Sequence, residues 1–263
     1  VFNIGGNLLE LDEDATISGT FSVTNMIKTN NAFLDNGVRK ILPSTDNDPL
    51  SSYVIPVGET LYTPVTLDIS DSGSGGANKY ITVRPANEPH PSVANNATTL
   101  AYYWVVKSSN ISDMTGDLIF QYVDPTHISG TEANYLPARL LTTSSTWDKA
   151  FTVTDVDDAA NTITFSLTTE DSNEIEGEYT AGEDAGIGSN VETISTTGAG
   201  GNFSSTSTWS GGTIPSNGAI ITVQTGATLT MDTDNRRFLR TEIQSGAVLD
   251  MGTSTGQSIG TVT

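Results

Sequence analysis

The chain has 263 residues, enough for one large or two ordinary domains with a sizeable core. Its 31 acidic and 11 basic residues leave a net charge of −20, a field that repels phosphate backbones and anionic headgroups and argues against nucleic acid as a partner. Cysteine is absent, which excludes disulfides, thiolate metal sites and cysteine nucleophiles, and no run of 18 apolar residues offers direct insertion into a membrane.

The hydrophobic fraction is 36%, with Ser, Thr, Asn and Gly dominating the remainder, a composition that builds short strands and many turns. The chain starts with Val and shows no charged segment followed by an apolar one, so it reads as a mature or excised piece of something longer. Over residues 1–42, Leu9 and Leu11, then Ile17, then Phe21 and Val23 alternate with polar neighbours, the period of a half-buried strand. Asn36-Gly37 is a turn signal between strands.

From about residue 41 the texture changes, and Pro43, Pro49, Pro56 and Pro64 break up the segment. Separate strand candidates follow at 61–69, 80–84, 102–107, 118–123, 138–142, 150–154 and 162–167. Strands in that number, separated by turn-rich loops, predict an antiparallel Ig-like β-sandwich over residues 43–185. Trp104 and Trp147 are expected to fill its core. The acidic, Gly-rich stretch 168–190 reads as a partly ordered edge followed by a linker.

Residues 186–263 carry a different pattern. Gly218-Ala-Ile-Ile-Thr-Val, Gly226-Ala-Thr-Leu-Thr-Met and Gly246-Ala-Val-Leu-Asp-Met share one motif, a turn glycine followed by alternating strand residues. The 20-residue recurrence of the last two fits one coil of a β-solenoid, in which each short strand pairs with its counterpart one coil away, at about 4.8 Å. Leu229 is then expected to stack on Leu249, and Met231 on Met251. At the other end Gly6-Asn-Leu-Leu-Glu-Leu fits the same motif, and Ile17-Ser-Gly-Thr-Phe resembles Ile259-Gly-Thr-Val. The expected fold class is therefore all-β: a β-sandwich (43–185) flanked by β-solenoid, or β-helix, coils at both termini. Residues 1–42 form the end of one stack, and 186–263 form a linker and the start of the next.

A solenoid end exposes an apolar cross-section and unpaired backbone groups, which are normally capped. No cap is evident after Met251 or before Gly6, so both ends are expected to be cut faces of a longer structure. The expected partners are further copies of the chain, either as covalent repeats or as head-to-tail subunits. Leu9, Leu11, Leu229, Met231, Leu249, Met251 and Ile259 are the stacking residues in that reading. A boundary falling inside one long β-helix would leave the same sequence.

Two stretches resemble a known family. Trp209-Ser-Gly-Gly-Thr-Ile-Pro-Ser-Asn-Gly-Ala-Ile-Ile-Thr-Val is similar to the opening of β-solenoid segments in large secreted surface proteins of the Bacteroidota. Tyr53-Val-Ile-Pro-Val-Gly, Tyr62-Thr-Pro-Val-Thr-Leu, Tyr103-Trp104 and Gly116-Asp-Leu-Ile-Phe-Gln-Tyr resemble the sandwich modules that alternate with those segments. The resemblance spans most of the chain and implies cargo of the type IX secretion system, an extracellular adhesin or filament at the bacterial cell surface.

Several constellations are candidates for chemistry. Only His90, between prolines in Glu-Pro-His-Pro, and His127 could serve nucleophilic catalysis, and both read as surface-loop histidines. Acidic residues are too common for any pair to mark a glycosidase, so the expectation is not an enzyme, with cleavage of polysaccharide kept as a further class. No cofactor is expected other than Ca²⁺. Asp155, Asp157 and Asp158 at a strand end, and Asp12, Glu13 and Asp14 in a turn, could each supply several of the roughly six to eight oxygen ligands Ca²⁺ takes. Solvated turn carboxylates are the plainer reading of both. Arg236, Arg237 and Arg240 are candidate interface charges, with ordinary surface pairing as the alternative. Tyr102 and Tyr103, with Tyr122 and Tyr135, are candidate contacts to a surface polysaccharide. A structural repeat of an adhesin or filament is the leading expectation, and a carbohydrate-binding module of a secreted polysaccharide-degrading protein is the alternative.

Overall fold

The computed structural model describes residues 1–30, 37–151 and 155–263. Asn36 of the expected Asn36-Gly37 turn and residues 152–154 of the expected 150–154 strand lie outside them. Among the described residues the chain is all-β, with short strands in five sheets and α-helices of only four residues. It divides into two units, 1–188 and 189–263.

The first unit begins with β1 (Phe2–Gly5), β2 (Leu8–Leu11), β3 (Ile27–Thr29) and β4 (Gly37–Ile41). Then come β5 (Leu50–Ile55), β6 (Val57–Gly58), β7 (Val65–Asp71), β8 (Tyr80–Ala86), β9 (Tyr103–Ser109) and β10 (Met114–Gln121). β11 (Tyr135–Leu141), β12 (Val156–Asp157), β13 (Thr162–Glu170), α1 (Ser172–Ile175), β14 (Gly177–Glu183) and α2 (Asp184–Ile187) complete it. One sheet has the order β12-β13-β10-β7-β5 and is antiparallel throughout. The other runs β11-β14-β9-β8-β4-β2 and is antiparallel except for its last pair, β2 with β4.

Alternation explains which faces are buried. In β13, Ile163, Phe165 and Leu167 are buried and their polar neighbours are not; in β7 the same holds for Val65, Leu67 and Ile69. These side chains join Val83, Trp104, Val106, Tyr179 and Ala181 of the second sheet in one apolar cluster. Its centre is aromatic. Phe120 lies 5.1 Å from Trp104, 5.2 Å from Tyr179 and 5.5 Å from Phe165, the last edge-to-face.

The N-terminal residues pair in parallel. β1 pairs with β3, β3 with β6, and β2 with β4, where Leu9 lies opposite Val38. β4 then pairs antiparallel with β8, so the parallel segment continues directly into the larger sheet.

The stretch 168–190 is not an edge with a linker. β14 sits inside the six-stranded sheet between β11 and β9, with Tyr179 and Ala181 fully buried. Its glycines serve close packing rather than flexibility. A Cβ at Gly177 would lie 2.6 Å from the Leu140 carbonyl oxygen, and one at Gly182 would lie 2.6 Å from Thr99 Cγ2.

The second unit contains β15 (Thr193–Ser195), β16 (Gly200–Asn202), β17 (Ala219–Val223), β18 (Thr228–Thr230), β19 (Phe238–Ile243), β20 (Val248–Asp250) and β21 (Thr261–Val262). They form two parallel ladders, β15-β17-β19-β21 and β16-β18-β20. Leu229 lies opposite Leu249 in register. Gly226 and Gly246 enter the second ladder at φ +74° and +72°, a backbone region in which glycine alone is unstrained. Gly218 makes the same turn at φ +82° but enters the other ladder, so the three motif copies do not form one column. Phe203, Trp209 and Phe238 pack together, and Trp209 Nε1 donates to the Phe203 carbonyl at 2.9 Å.

Phe120→Ala should destabilise the protein by about 4 kcal/mol, since it deletes the ring shared by three aromatic neighbours. The urea midpoint of the variant against the parent measures this.

Candidate functional site

The β20 layer of the second unit repeats the Ala, Leu and Met of the β18 layer beneath it but covers them less. Ala227, Leu229 and Met231 are buried, Met231 to 1% exposure. Their counterparts Ala247 and Leu249 are half-buried, and Met251 is 38% exposed. Val223 and Ile243 show the same change in the other ladder. Backbone direction matches. The Val248 N–H donates to the Ala227 carbonyl at 2.9 Å, and the Asp250 carbonyl accepts from Met231 N at 2.8 Å. In a parallel ladder the intervening Leu249 therefore directs its N–H and C=O away from the inner strand. Thr263 exchanges both of its bonds with β19, so Val262, 49% exposed, points its backbone groups the same way. Ile259 packs on the apolar cluster of this unit, and its carbonyl accepts from Thr241 Oγ1 at 2.6 Å.

In the first unit Leu9 and Leu11 are half-buried against its core, over β4, while Val1, Phe2 and Leu8 are exposed.

The acidic turn at Asp12, Glu13 and Asp14 surrounds a cation already present in the chain. Lys40 Nζ donates to the carbonyls of Asp12 at 2.7 Å, Glu13 at 2.5 Å and Ala15 at 3.3 Å. Lys40 is buried from water, which lowers its pKa, while the carboxylates of Asp12, Asp14 and Glu13 pull the other way. Lys79 is held alike. Its fully buried Nζ donates to the Gly73 carbonyl at 2.7 Å, Ser72 Oγ at 3.2 Å, the Thr45 carbonyl at 3.3 Å and Asp46 Oδ1 at 3.3 Å. At the other acidic site, Asp157 Oδ1 accepts from the backbone N–H groups of Ala159 and Ala160, both at 3.0 Å, and Asp158 is exposed, while Asp155 is half-buried. Among the described residues, no group of three or more His, Asp or Glu side chains converges as a metal site would.

The three arginines make contacts within their own unit. Arg236 donates to the Pro215 carbonyl and lies 4.6 Å from the centre of the Phe203 ring. Arg237 is buried, with its backbone N–H on Asn217 Oδ1 at 3.2 Å. Arg240 Nε faces Glu242 Oε1 at 3.7 Å.

Tyr102 and Tyr103 are not surface rings. Both have 0% exposure, so neither can meet a polysaccharide in this fold. Tyr102 bonds Thr63 Oγ1 at 2.7 Å and stacks on His127 at 4.4 Å. Tyr122 and Tyr135 are buried as well.

The histidines are core residues, not loop-surface ones. His90 is enclosed by Tyr103 and Trp147, with ring centres 4.9 and 4.7 Å away. Its Nε2 contacts Glu178 Oε2, and its Nδ1 accepts from Ser92 N at 3.1 Å, so both nitrogens are engaged. Burial raises the Glu178 pKa, but His90, Arg84 and Lys107 outweigh it and leave the carboxyl below its ordinary range. Glu178 is 88 residues from His90, so no local sequence signal announces the pair. His127 Nδ1 accepts from Val123 N at 3.1 Å, and its Nε2 is buried with no hydrogen-bond partner.

Comparison of the chain with known protein families, with curated proteins and with solved structures gave no match. What defines it at this point is its class: an all-β protein of two units, one built on two parallel ladders.

Lys79→Met should cost about 3 kcal/mol, because four oxygens lose a shared donor, and the loss should appear in urea unfolding with added Ca²⁺ unable to restore it. Burial lowers the His127 pKa from 6.5 to about 4. The unfolded chain therefore binds that proton first. Its contribution is intact above pH 6.5, declines as the pH falls, and is gone below pH 4, about 3 kcal/mol in all. His127→Gln should remove that part of the pH slope, read as the difference between parent and variant unfolding curves at pH 7 and pH 4.

Proposed function

We propose that the 189–263 unit is a β-solenoid segment and the 1–188 unit a β-sandwich entered through one solenoid-like layer. In this reading the chain is a structural module of an extracellular bacterial adhesin or filament. One observation carries it: residues of equal chemistry are sealed in the inner layer and uncovered in the outer one, most plainly Met231 at 1% and Met251 at 38%. A further parallel layer of the same period would cover Leu249, Met251 and Ile259 and take up the outward backbone groups of Leu249 and Val262. It would give Met251 the cover that Met231 has. Such stacking yields length and stiffness, because every added layer brings a row of backbone bonds and an apolar row. Placement at a bacterial cell surface rests on the likeness of the Trp209–Val223 stretch to surface-protein solenoids. The layer is supplied by further copies of the chain, as covalent repeats or as head-to-tail subunits.

The test is association of the chain in solution. Sedimentation velocity from micromolar to near-millimolar protein should show concentration-dependent, open-ended association, with rods in electron micrographs. Met251→Lys combined with Val262→Pro should abolish it while leaving circular dichroism and melting temperature near the parent's. The proline removes only an outward N–H. A parent that stays monomeric over the whole range overturns the stacking reading.

A further inference from the structure

One open groove of about 460 Å³ lies in the first unit, between the loop leading from residue 16 to 21 and the strand around Tyr53. Its volume falls within the range of about 300–1,000 Å³ usual for ligand clefts. Three half-buried aromatic rings, Phe21, Tyr53 and Tyr62, line it, and their polar neighbours are hydroxyl-bearing residues such as Ser18 and Ser51. No carboxylate, ammonium or guanidinium is among the lining residues. In a chain carrying 31 acidic residues, that is a local exception.

The wall is built rather than incidental. β5 has an irregularity in its pairing with β7 between Leu50 and Tyr53, and Ser52 stands at φ +49°. Asp68 pins it there, accepting from Ser52 N at 2.9 Å. A bulge of this kind re-aims the neighbouring side chains. Tyr53 is fixed in turn, its hydroxyl donating to the Ala15 carbonyl at 2.9 Å and Lys40 Nζ lying 4.8 Å from its ring centre. On the facing wall Phe21 folds over Gly19, which adopts φ +147°; a Cβ there would touch the Phe21 ring at 3.7 Å.

We propose that this groove is a binding site for a neutral, hydroxyl-rich saccharide. Sugar C–H faces would lie on the Phe21 and Tyr62 rings. Serine and threonine hydroxyls, each able to donate and accept, would meet the sugar hydroxyls directly or through water. The absence of charged lining residues disfavours phosphorylated, sulfated or uronic-acid ligands, which would meet a chain of net charge −20 and no cation among the lining side chains. An apolar peptide is the competing occupant, and it would leave the hydroxyls of the wall unused. This inference does not depend on layer stacking, and either can fail without the other.

The experiment is titration calorimetry of the full 263-residue chain against cellohexaose, xylohexaose, mannohexaose and chitohexaose. Oligogalacturonate is the acidic contrast and an apolar hexapeptide the rival. At least one neutral oligosaccharide should bind, with no binding of the acidic one. Phe21→Ala should weaken it about tenfold. Ser51→Trp, placed at an exposed position, should block it without touching the core and so separates loss of the site from loss of the fold. Leu8→Ala, outside the groove, should bind as the parent does. Failure of all four neutral sugars, stronger binding of the acidic sugar or the peptide, or unchanged affinity in both groove variants overturns the proposal.

Discussion

A backbone amide removed from water must find a partner, and this requirement orders the second unit more tightly than any side chain does. Each inner strand of its parallel ladders meets the need by bonding to the strands on both sides. The glycine corners at Gly226 and Gly246 allow the chain to turn back into register, and the register then places Leu229 opposite Leu249. Burial follows from position in the stack. Leu229 of β18, with a strand on either side, is buried, while Leu249, opposite it in β20 at the end of the ladder, is only half-buried.

The first unit solves a different problem, which is how an acidic chain keeps its turns closed. Lys40 and Lys79 place ammonium groups inside rings of carbonyl and hydroxyl oxygens. Oxygen-rich turns with acidic residues are the usual setting for a hard cation. Here a lysine ammonium, covalently attached, meets the backbone oxygens of the turn. Asp46 and the backbone carbonyls take part together, which spreads the cost of burying the charge over several partners.

What the sequence revealed, and what it hid, follows from the range of each signal. The alternation of β13 and the match between Gly226 and Gly246 are short-range patterns, and both the strand and the Leu229–Leu249 pairing are present. β14 was concealed because Gly177, Gly182 and the flanking acids imitate a linker, whereas the glycines are there for the approach of neighbouring backbone and side chains. Tyr102 and Tyr103 are consecutive in an alternating region, where one of them would ordinarily face water. Both are buried because the second ring has its own enclosure beside His90. The groove at Phe21, Tyr53 and Tyr62 joins segments more than thirty residues apart, and neither segment alone marks it. Likewise the contact between the Asp12–Asp14 turn and Lys40 joins residues far apart in the chain, and neither segment alone announces it.

The spacing between layers is not uniform, and this bears on how such a stack tolerates change. Thr193 pairs with Ile220, twenty-seven residues on, whereas Ile220 pairs with Arg240 after twenty. The longer excursion carries Phe203 and Trp209 and still returns to the same ladder. Corners can therefore be lengthened while the rungs keep step. An inserted tag, epitope or enzyme placed at such a bend would be carried beside the ladder and leave its register undisturbed.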